Sequence, residues 1–270
     1  MRAMRLLGRR GGGGPTEAGA APEPDGPLYV VGDVHGHSGL LRALLRRLDS
    51  HWEQTEAPAG TTLVMLGNYI DRGGASARVL ADARRLTSVA PGQAICLMGS
   101  HERMMLDFLD DPARRGPRWL RNGGRATMRS FGHHDELGEN ATEAQFRFAA
   151  DALRKSLGDL EVWIRSLPLA WQSGNVVATH AGADPEQPIE RQNERALLWG
   201  HPDFERKARS DGLWVIRGHI PVAKPKIVKG RISIDTGAGY GGPLTAASIR
   251  KGRAVEFIDV IARRKAPKTQ

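Results

Sequence analysis

Leu28-Tyr29-Val30-Val31-Gly32-Asp33-Val34-His35-Gly36 decides how this chain is read. A short apolar run ends on a glycine, and Asp33 and His35 then alternate with Val34 before a second glycine. Such a run predicts a buried strand carrying two metal-ligand residue types at its carboxyl end, with glycines that let the backbone approach an ion closely. Ser38 next offers a helix N-cap, and Leu40, Leu41, Leu44, Leu45 and Leu48 recur at helical spacing. The same unit returns twice. Residues 62–66 lead into Gly67-Asn68-Tyr69-Ile70-Asp71-Arg72-Gly73 and a helix over 75–86. Residues 94–98 lead into Gly99-Ser100-His101-Glu102 and a helix through Met104, Met105, Phe108 and Leu109. Three strand–loop–helix units in succession predict a mixed α/β sheet whose motifs sit at the carboxyl ends of strands, where open α/β sheets place their sites.

The pattern changes past residue 115. Residues 142–166 predict one long amphipathic helix through Phe146, Phe148, Leu153, Leu157, Leu160 and Trp163, packed as an outer layer. From Leu169 onward the segments are strand-like, with turn signals at Ser173-Gly174-Asn175, Lys229-Gly230 and Lys251-Gly252. A β-sandwich flanked by helices fits the whole.

The 270 residues carry a formal net charge of +9. Residues 1–14, with Arg2, Arg5, Arg9 and Arg10, and residues 261–270, with Arg263, Arg264, Lys265 and Lys268, contain no acid and hold eight of those nine excess charges, so residues 15–260 are near neutral. Solvated basic tails over 1–26 and 261–270 around one catalytic domain over 27–260 are expected, rather than a nucleic-acid partner. One cysteine, Cys96, lies in an apolar run and excludes an intramolecular disulfide. No apolar stretch is long enough to span a membrane, so a cytoplasmic monomer is expected.

Two later segments complete the constellation: Thr179-His180-Ala181-Gly182 and Arg217-Gly218-His219. Four of the nine histidines, His35, His101, His180 and His219, each follow an apolar strand directly and sit near glycine or alanine. His37, His51, His133 and His134 lie in polar or helical surroundings and are read as surface residues. Metal-ligand types, a carboxylate–histidine pair and a phosphate-sized arginine in this order are the equipment of a metal-assisted phosphoester hydrolase. A serine or threonine alkoxide leaves poorly unless protonated, which calls for a histidine held by a carboxylate. Arginine holds two phosphate oxygens with a planar fork that lysine cannot copy.

The motifs resemble those of the PPP-type serine/threonine protein phosphatases, in the compact bacterial and phage-lambda-type branch marked by GDxHG, GDxxDRG, GNHE and two later histidines. The similarity covers roughly residues 28–258 and includes Trp119-Leu120-Arg121-Asn122-Gly123-Gly124 and Asp235-Thr236-Gly237-Ala238. It implies the metallophosphoesterase α/β/β/α sandwich, two mixed sheets flanked by helices. It implies Asp33 and His35 as ligands of a first metal, Asn68 at the bridging position, and Ser100, His180 and His219 around a second metal. It further implies Asp71 and His101 as the acid dyad and Arg72 as the phosphate grip. The implied cofactors are two divalent ions, Mn²⁺ first and Fe, Zn or Ni as alternatives, and the implied partner is a phosphorylated protein or peptide. Close relatives split dinucleoside polyphosphates or remove RNA caps, and a catalytically inactive phosphate-binding relative is a further alternative. Glu102 leans towards the protein-phosphatase branch.

Two positions depart from the pattern. Asn68 stands where the family has aspartate, and Ser100 where it has asparagine. Two divalent ions about 4 Å apart repel by roughly 17 kcal/mol at an effective dielectric of about 20, and a bridging carboxylate is a main compensator. A weakly held second ion is therefore expected. The second phosphate arginine is also missing after Leu198-Trp199, where Gly200-His201-Pro202 follows, so His201 or one of Arg191, Arg195 and Arg206 is a candidate substitute.

Overall fold

The computed structural model describes residues 21–55, 60–134, 137, 138 and 140–262. The first of two mixed sheets runs in the order β10 (Glu256–Val260), β9 (Leu244–Ile249), β1 (Leu28–Val31), β2 (Thr62–Met65), β3 (Ala94–Cys96). β1, β2 and β3 are parallel, while β9 and β10 join antiparallel. Parallel neighbours need crossovers, supplied here by α1 (Ser38–Gln54) and α2 (Ser76–Val89). The second sheet runs β4 (Ala170–Ser173), β5 (Val176–Thr179), β6 (Trp214–Arg217), β8 (Arg231–Ser233), β7 (Lys226–Val228), with β5, β6 and β8 parallel.

Strand alternation builds four layers. Leu28 and Val30 of β1 enter a core shared with Val176 and Ala178 of β5, Ile216 of β6 and Ile232 of β8, so the two sheets face each other. Tyr29 and Val31 point the opposite way, into a larger core with Leu41, Leu44, Val79, Leu80 and Phe108 from the helices. Val177 and Val215 turn outward on the second sheet, against Leu197 of α8 (Glu194–Trp199) and Phe204. The period of two thus produces the expected α/β/β/α order, because each strand carries apolar residues on both faces.

Three features differ in detail from the sequence reading. The helix expected over 142–166 is two, α6 (Glu143–Leu157) and α7 (Asp159–Ser166), separated by Gly158 at φ 50°, ψ −130°. That conformation is open to glycine and ends the first helix. Phe148, counted on the apolar face, is 74% exposed, whereas Phe146, Leu153 and Leu157 are buried. The third concerns the tails: 1–20 and 263–270 lie outside the described residues, but residues 21–25 hold the β4–β5 turn. Glu23 N donates to Asn175 Oδ1 at 2.6 Å, Asp25 N to Ser173 Oγ at 2.9 Å, and Gly174 N to Asp25 Oδ2 at 3.0 Å. A boundary at residue 26 leaves this strap on the tail side, although it is bonded to the second sheet.

The three turn signals fall at the β4–β5, β7–β8 and β9–β10 hairpins. Cys96 is buried, and burial pushes its thiol up to about 12. Among the described residues no helix is long and apolar enough to cross a membrane.

Candidate active site

All five segments converge at the carboxyl ends of β1, β2, β3, β5 and β6. The parallel register that sets Val31 beside Met65 lays the two following loops together, so Val34 N and His35 N both donate to Asn68 O at 3.1 and 2.8 Å. The backbone is held hard here. His35, Asn68, Asp71, Arg72 and His219 all have positive φ, from 47° to 74°. Such a conformation costs a side-chain-bearing residue about 1–3 kcal/mol and persists where its surroundings over-determine it.

Glu102 supplies much of that hold. Its fully buried carboxylate accepts from Asn68 N at 2.8 Å, Tyr69 N at 2.8 Å, Ile70 N at 3.3 Å and Gly99 N at 3.0 Å. It ties the β2 loop to the first turn of α3 (Ser100–Asp110). Burial raises its pKa to about 7. The close approach requires Gly99, since a Cβ there would collide with Asn68 N.

On one side of the site stand Asp33 and His35. Asp33 Oδ2 accepts from the Asn68 amide at 2.8 Å, and Oδ1 from His219 N at 3.1 Å. A Cβ on Gly218 would strike that same Oδ1. Burial, then the neighbouring Asp235 carboxylate, raises the Asp33 pKa well above its ordinary value. His35 Nδ1 lies 3.0 Å from the Ile70 carbonyl, so Nδ1 carries the proton and Nε2 keeps its lone pair. Burial is the main cause that holds the His35 pKa low, and the His101 and Arg72 charges add to it.

On the other side, Ser100 Oγ sits 3.2 Å from His180 Nε2, 3.3 Å from His219 Nδ1 and 3.3 Å from Asn68 Oδ1. His180 Nδ1 lies 2.9 Å from the Leu66 carbonyl, which fixes its tautomer in the same way. Burial and the adjacent His219 hold His180 in its neutral form, and burial pushes His219 down to about 4. Asn68 is oriented unambiguously. His101 N–H donates to its Oδ1 at 2.9 Å, so the amide nitrogen must face Asp33. A donor therefore stands on the Asp33 side, where a bridging ligand would need a lone pair.

Between the halves lies the dyad. His101 Nδ1 donates to Asp71 Oδ2 at 2.6 Å. Asp71 also accepts from Trp119 Nε1 at 3.0 Å and Thr127 Oγ1 at 2.6 Å, and it is fully buried. Trp119 ends α4 (Pro112–Trp119), and Thr127 lies on α5 (Arg125–Ser130). Arg72 is held by three contacts: its N donates to Gly123 O at 3.3 Å, its guanidinium to His35 Nε2 at 3.0 Å, and it stacks 4.2 Å over the Tyr240 ring.

The structure brings together Asp33, His35, Asn68, Asp71, Arg72, Ser100, His101, His180 and His219. It does not bring His201 to them. The His201 ring lies 3.8 Å from the Asp184 carboxylate and accepts from Asp203 N at 3.3 Å. A different arginine reaches the rim: Arg118 lies 4.7 Å over the Trp199 ring, whose edge meets His219 at 6.0 Å between centroids. Sequence reasoning gave Glu102 only a leaning between branches of the family, and gave no role to Trp119, Thr127, Trp199 or Tyr240. Only their closeness in sequence to glycine-rich motifs signalled them.

A calcineurin-like phosphoesterase family model matches residues 26–243. The chain belongs to this family. Among curated metallophosphoesterase relatives, the PrpE bis(5'-nucleosyl)-tetraphosphatase of Halalkalibacterium halodurans is 26% identical, with 87% of this chain and 93% of that protein covered. Serine/threonine-protein phosphatase 1 of Salmonella typhimurium is 29% identical, with 83% and 92% covered. A solved protein serine/threonine phosphatase from Saccharomyces cerevisiae shares the fold at a TM-score of 0.60 and 17% identity, covering 90% of this chain and 82% of its own.

Metallophosphoesterases use divalent metals, and the two halves of this site fit one unequally. Asp33 with the unprotonated Nε2 of His35, which here accepts from Arg72, offers a carboxylate and an imidazole, a donor set suited to one divalent ion. Asn68 Oδ1, Ser100, His180 and His219 offer no negative charge, and the Asn68 amide presents N–H towards Asp33. This half does not fit a tightly held second ion.

Proposed function

We propose that this metallophosphoesterase hydrolyses phosphomonoesters, with phosphoserine and phosphothreonine of proteins as its substrate class. The Asp71–His101 pair carries the reading. A protonated imidazole is needed most where the leaving group is an alkoxide, and less for a phosphate leaving group. Asp71 holds the Nδ1–H of a doubly protonated His101, whose Nε2–H passes its proton to the leaving oxygen and leaves the neutral Nδ1–H imidazole. Arg72, braced by Tyr240, grips the phosphoryl oxygens with its guanidinium plane. Asp33 and His35 would hold a divalent ion of the Mn²⁺ class, which would supply Lewis-acid activation of a water nucleophile. The unfavourable second half implies weak activity with a steep dependence on added metal.

A second reading, cleavage of dinucleoside polyphosphates, is favoured by the PrpE relatives. Turnover of a phosphoserine peptide and of diadenosine tetraphosphate at equal enzyme and Mn²⁺ concentration separates the two. Faster peptide turnover is expected. A clear preference for the dinucleotide replaces the first reading with the second, and no turnover of either overturns both.

A further inference from the structure

Between Asp111 and Asp135 the chain carries Arg114, Arg115, Arg118, Arg121, Arg125 and Arg129 and no acidic residue. Elsewhere on the surface arginines are commonly paired: Arg78 with Asp82, Arg103 with Asp107, Arg147 with Glu143, Arg165 with Asp110 and Glu161. Among the described residues, Arg114, Arg115, Arg118, Arg121 and Arg125 form no ion pair. Arg114, Arg115, Arg118 and Arg121 are exposed.

This basic segment is built onto the catalytic centre. Trp119, next to Arg118, donates to the Asp71 carboxylate, and Gly123, two residues past Arg121, accepts from Arg72 N. Arg118 itself lies over Trp199, the ring that abuts His219. Further out, Arg121 and Arg125 share a cleft of about 230 Å³ walled by Pro117, Leu120 and Phe146. Cations that form no ion pair among the described residues, beside a phosphate site, raise the local concentration of anionic substrate and discriminate by charge.

We infer that the 114–125 segment is a substrate-docking surface that reads Asp and Glu residues beside the phosphorylated residue, Arg118 close to the phosphate and Arg121 with Arg125 in the cleft. The inference rests on the phosphoprotein reading above and deepens it. A carboxylate in the cleft meets two guanidinium forks, and its methylene stem packs on Leu120 and Phe146.

The test uses the full chain and two fluorescein-labelled phosphoserine peptides, identical except that four flanking positions are all Glu or all Gln. Anisotropy gives binding in Mn²⁺ at 50 and 300 mM NaCl. Turnover is followed separately by phosphate release. The Glu peptide is expected to bind about tenfold more tightly at low salt, with the gap shrinking at high salt as charges are screened. In R118Q/R121Q/R125Q the ratio between the two peptides should fall towards one. If the triple variant does not fold, R121Q alone should narrow the ratio. Equal binding of both peptides by the parent protein overturns the inference, as does a ratio that survives the substitutions. Single-stranded DNA of equal charge that displaces the Glu peptide at lower concentration also overturns it. A peptide ratio that collapses as expected with no phosphate released keeps the docking surface and removes the phosphatase reading. Phosphate released equally from both peptides, with equal binding, does the reverse.

Discussion

Asp71 accepts from His101, Trp119 and Thr127 at once, so any amide put in its place turns an N–H towards a donor. Asp71→Asn should lower kcat by about 10²–10⁴ through loss of His101 orientation, read in steady-state turnover of a phosphopeptide. A variant within threefold of the parent would remove the dyad from the mechanism. Asn68 behaves in the opposite sense, because it relieves charge that an ion would otherwise balance. In EDTA, Asn68→Asp brings a carboxylate against Asp33 and should lose about 1–3 kcal/mol of stability in thermal unfolding. Mn²⁺ should restore that loss, and calorimetric titration should show more metal bound, or tighter metal, than the parent. Unchanged metal binding would show that the Asn68 amide is not what weakens the second half. Both residues were legible in the chain as motif members. The direction in which the Asn68 amide points was not, because it is set by His101 N–H, which reaches it only through the fold.

At the scale of elements, the β2 loop and the start of α3 act as one piece because Glu102 spans them. Glu102→Gln replaces one acceptor oxygen by a donor facing a backbone N–H. It should destabilise the protein by about 2–4 kcal/mol in urea unfolding and expose the amides of residues 68–70 to hydrogen exchange. Intact protection of those amides would show that the strand ends hold the loop without it. The α6–α7 break offers a plainer case. Gly158→Ala should cost about 1 kcal/mol or more, since alanine pays for φ 50° where glycine does not. A variant as stable as the parent would mean that the junction relaxes into a continuous helix. The helical periodicity of 142–166 was visible in the sequence, but amphipathic spacing alone does not register a one-residue break that leaves both flanking faces on the same core.

For the whole molecule, the strap at 21–25 ties the segment before β1 to the far sheet through the β4–β5 turn. Deleting residues 1–25 should lower stability by about 1–3 kcal/mol relative to deleting 1–20, measured by chemical unfolding. Equal stability would make the strap incidental. What the sequence by itself determined is the two-sheet architecture and the membership of the site. Apolar runs with both faces buried specify parallel strands, and glycine-bounded polar residues at their ends specify where chemistry gathers. These are short-range properties, written in adjacent residues. Tertiary structure alone decided the rest: which donors hold Asp71, how Glu102 locks the strained loops, which way Asn68 turns, and that Arg118 rather than His201 comes to the rim. Each depends on groups 30 to 120 positions apart, as with His101 to Asp71 and Ser100 to His219, meeting at hydrogen-bond distance. Distances of that order follow from packing two sheets face to face, and no local pattern encodes them.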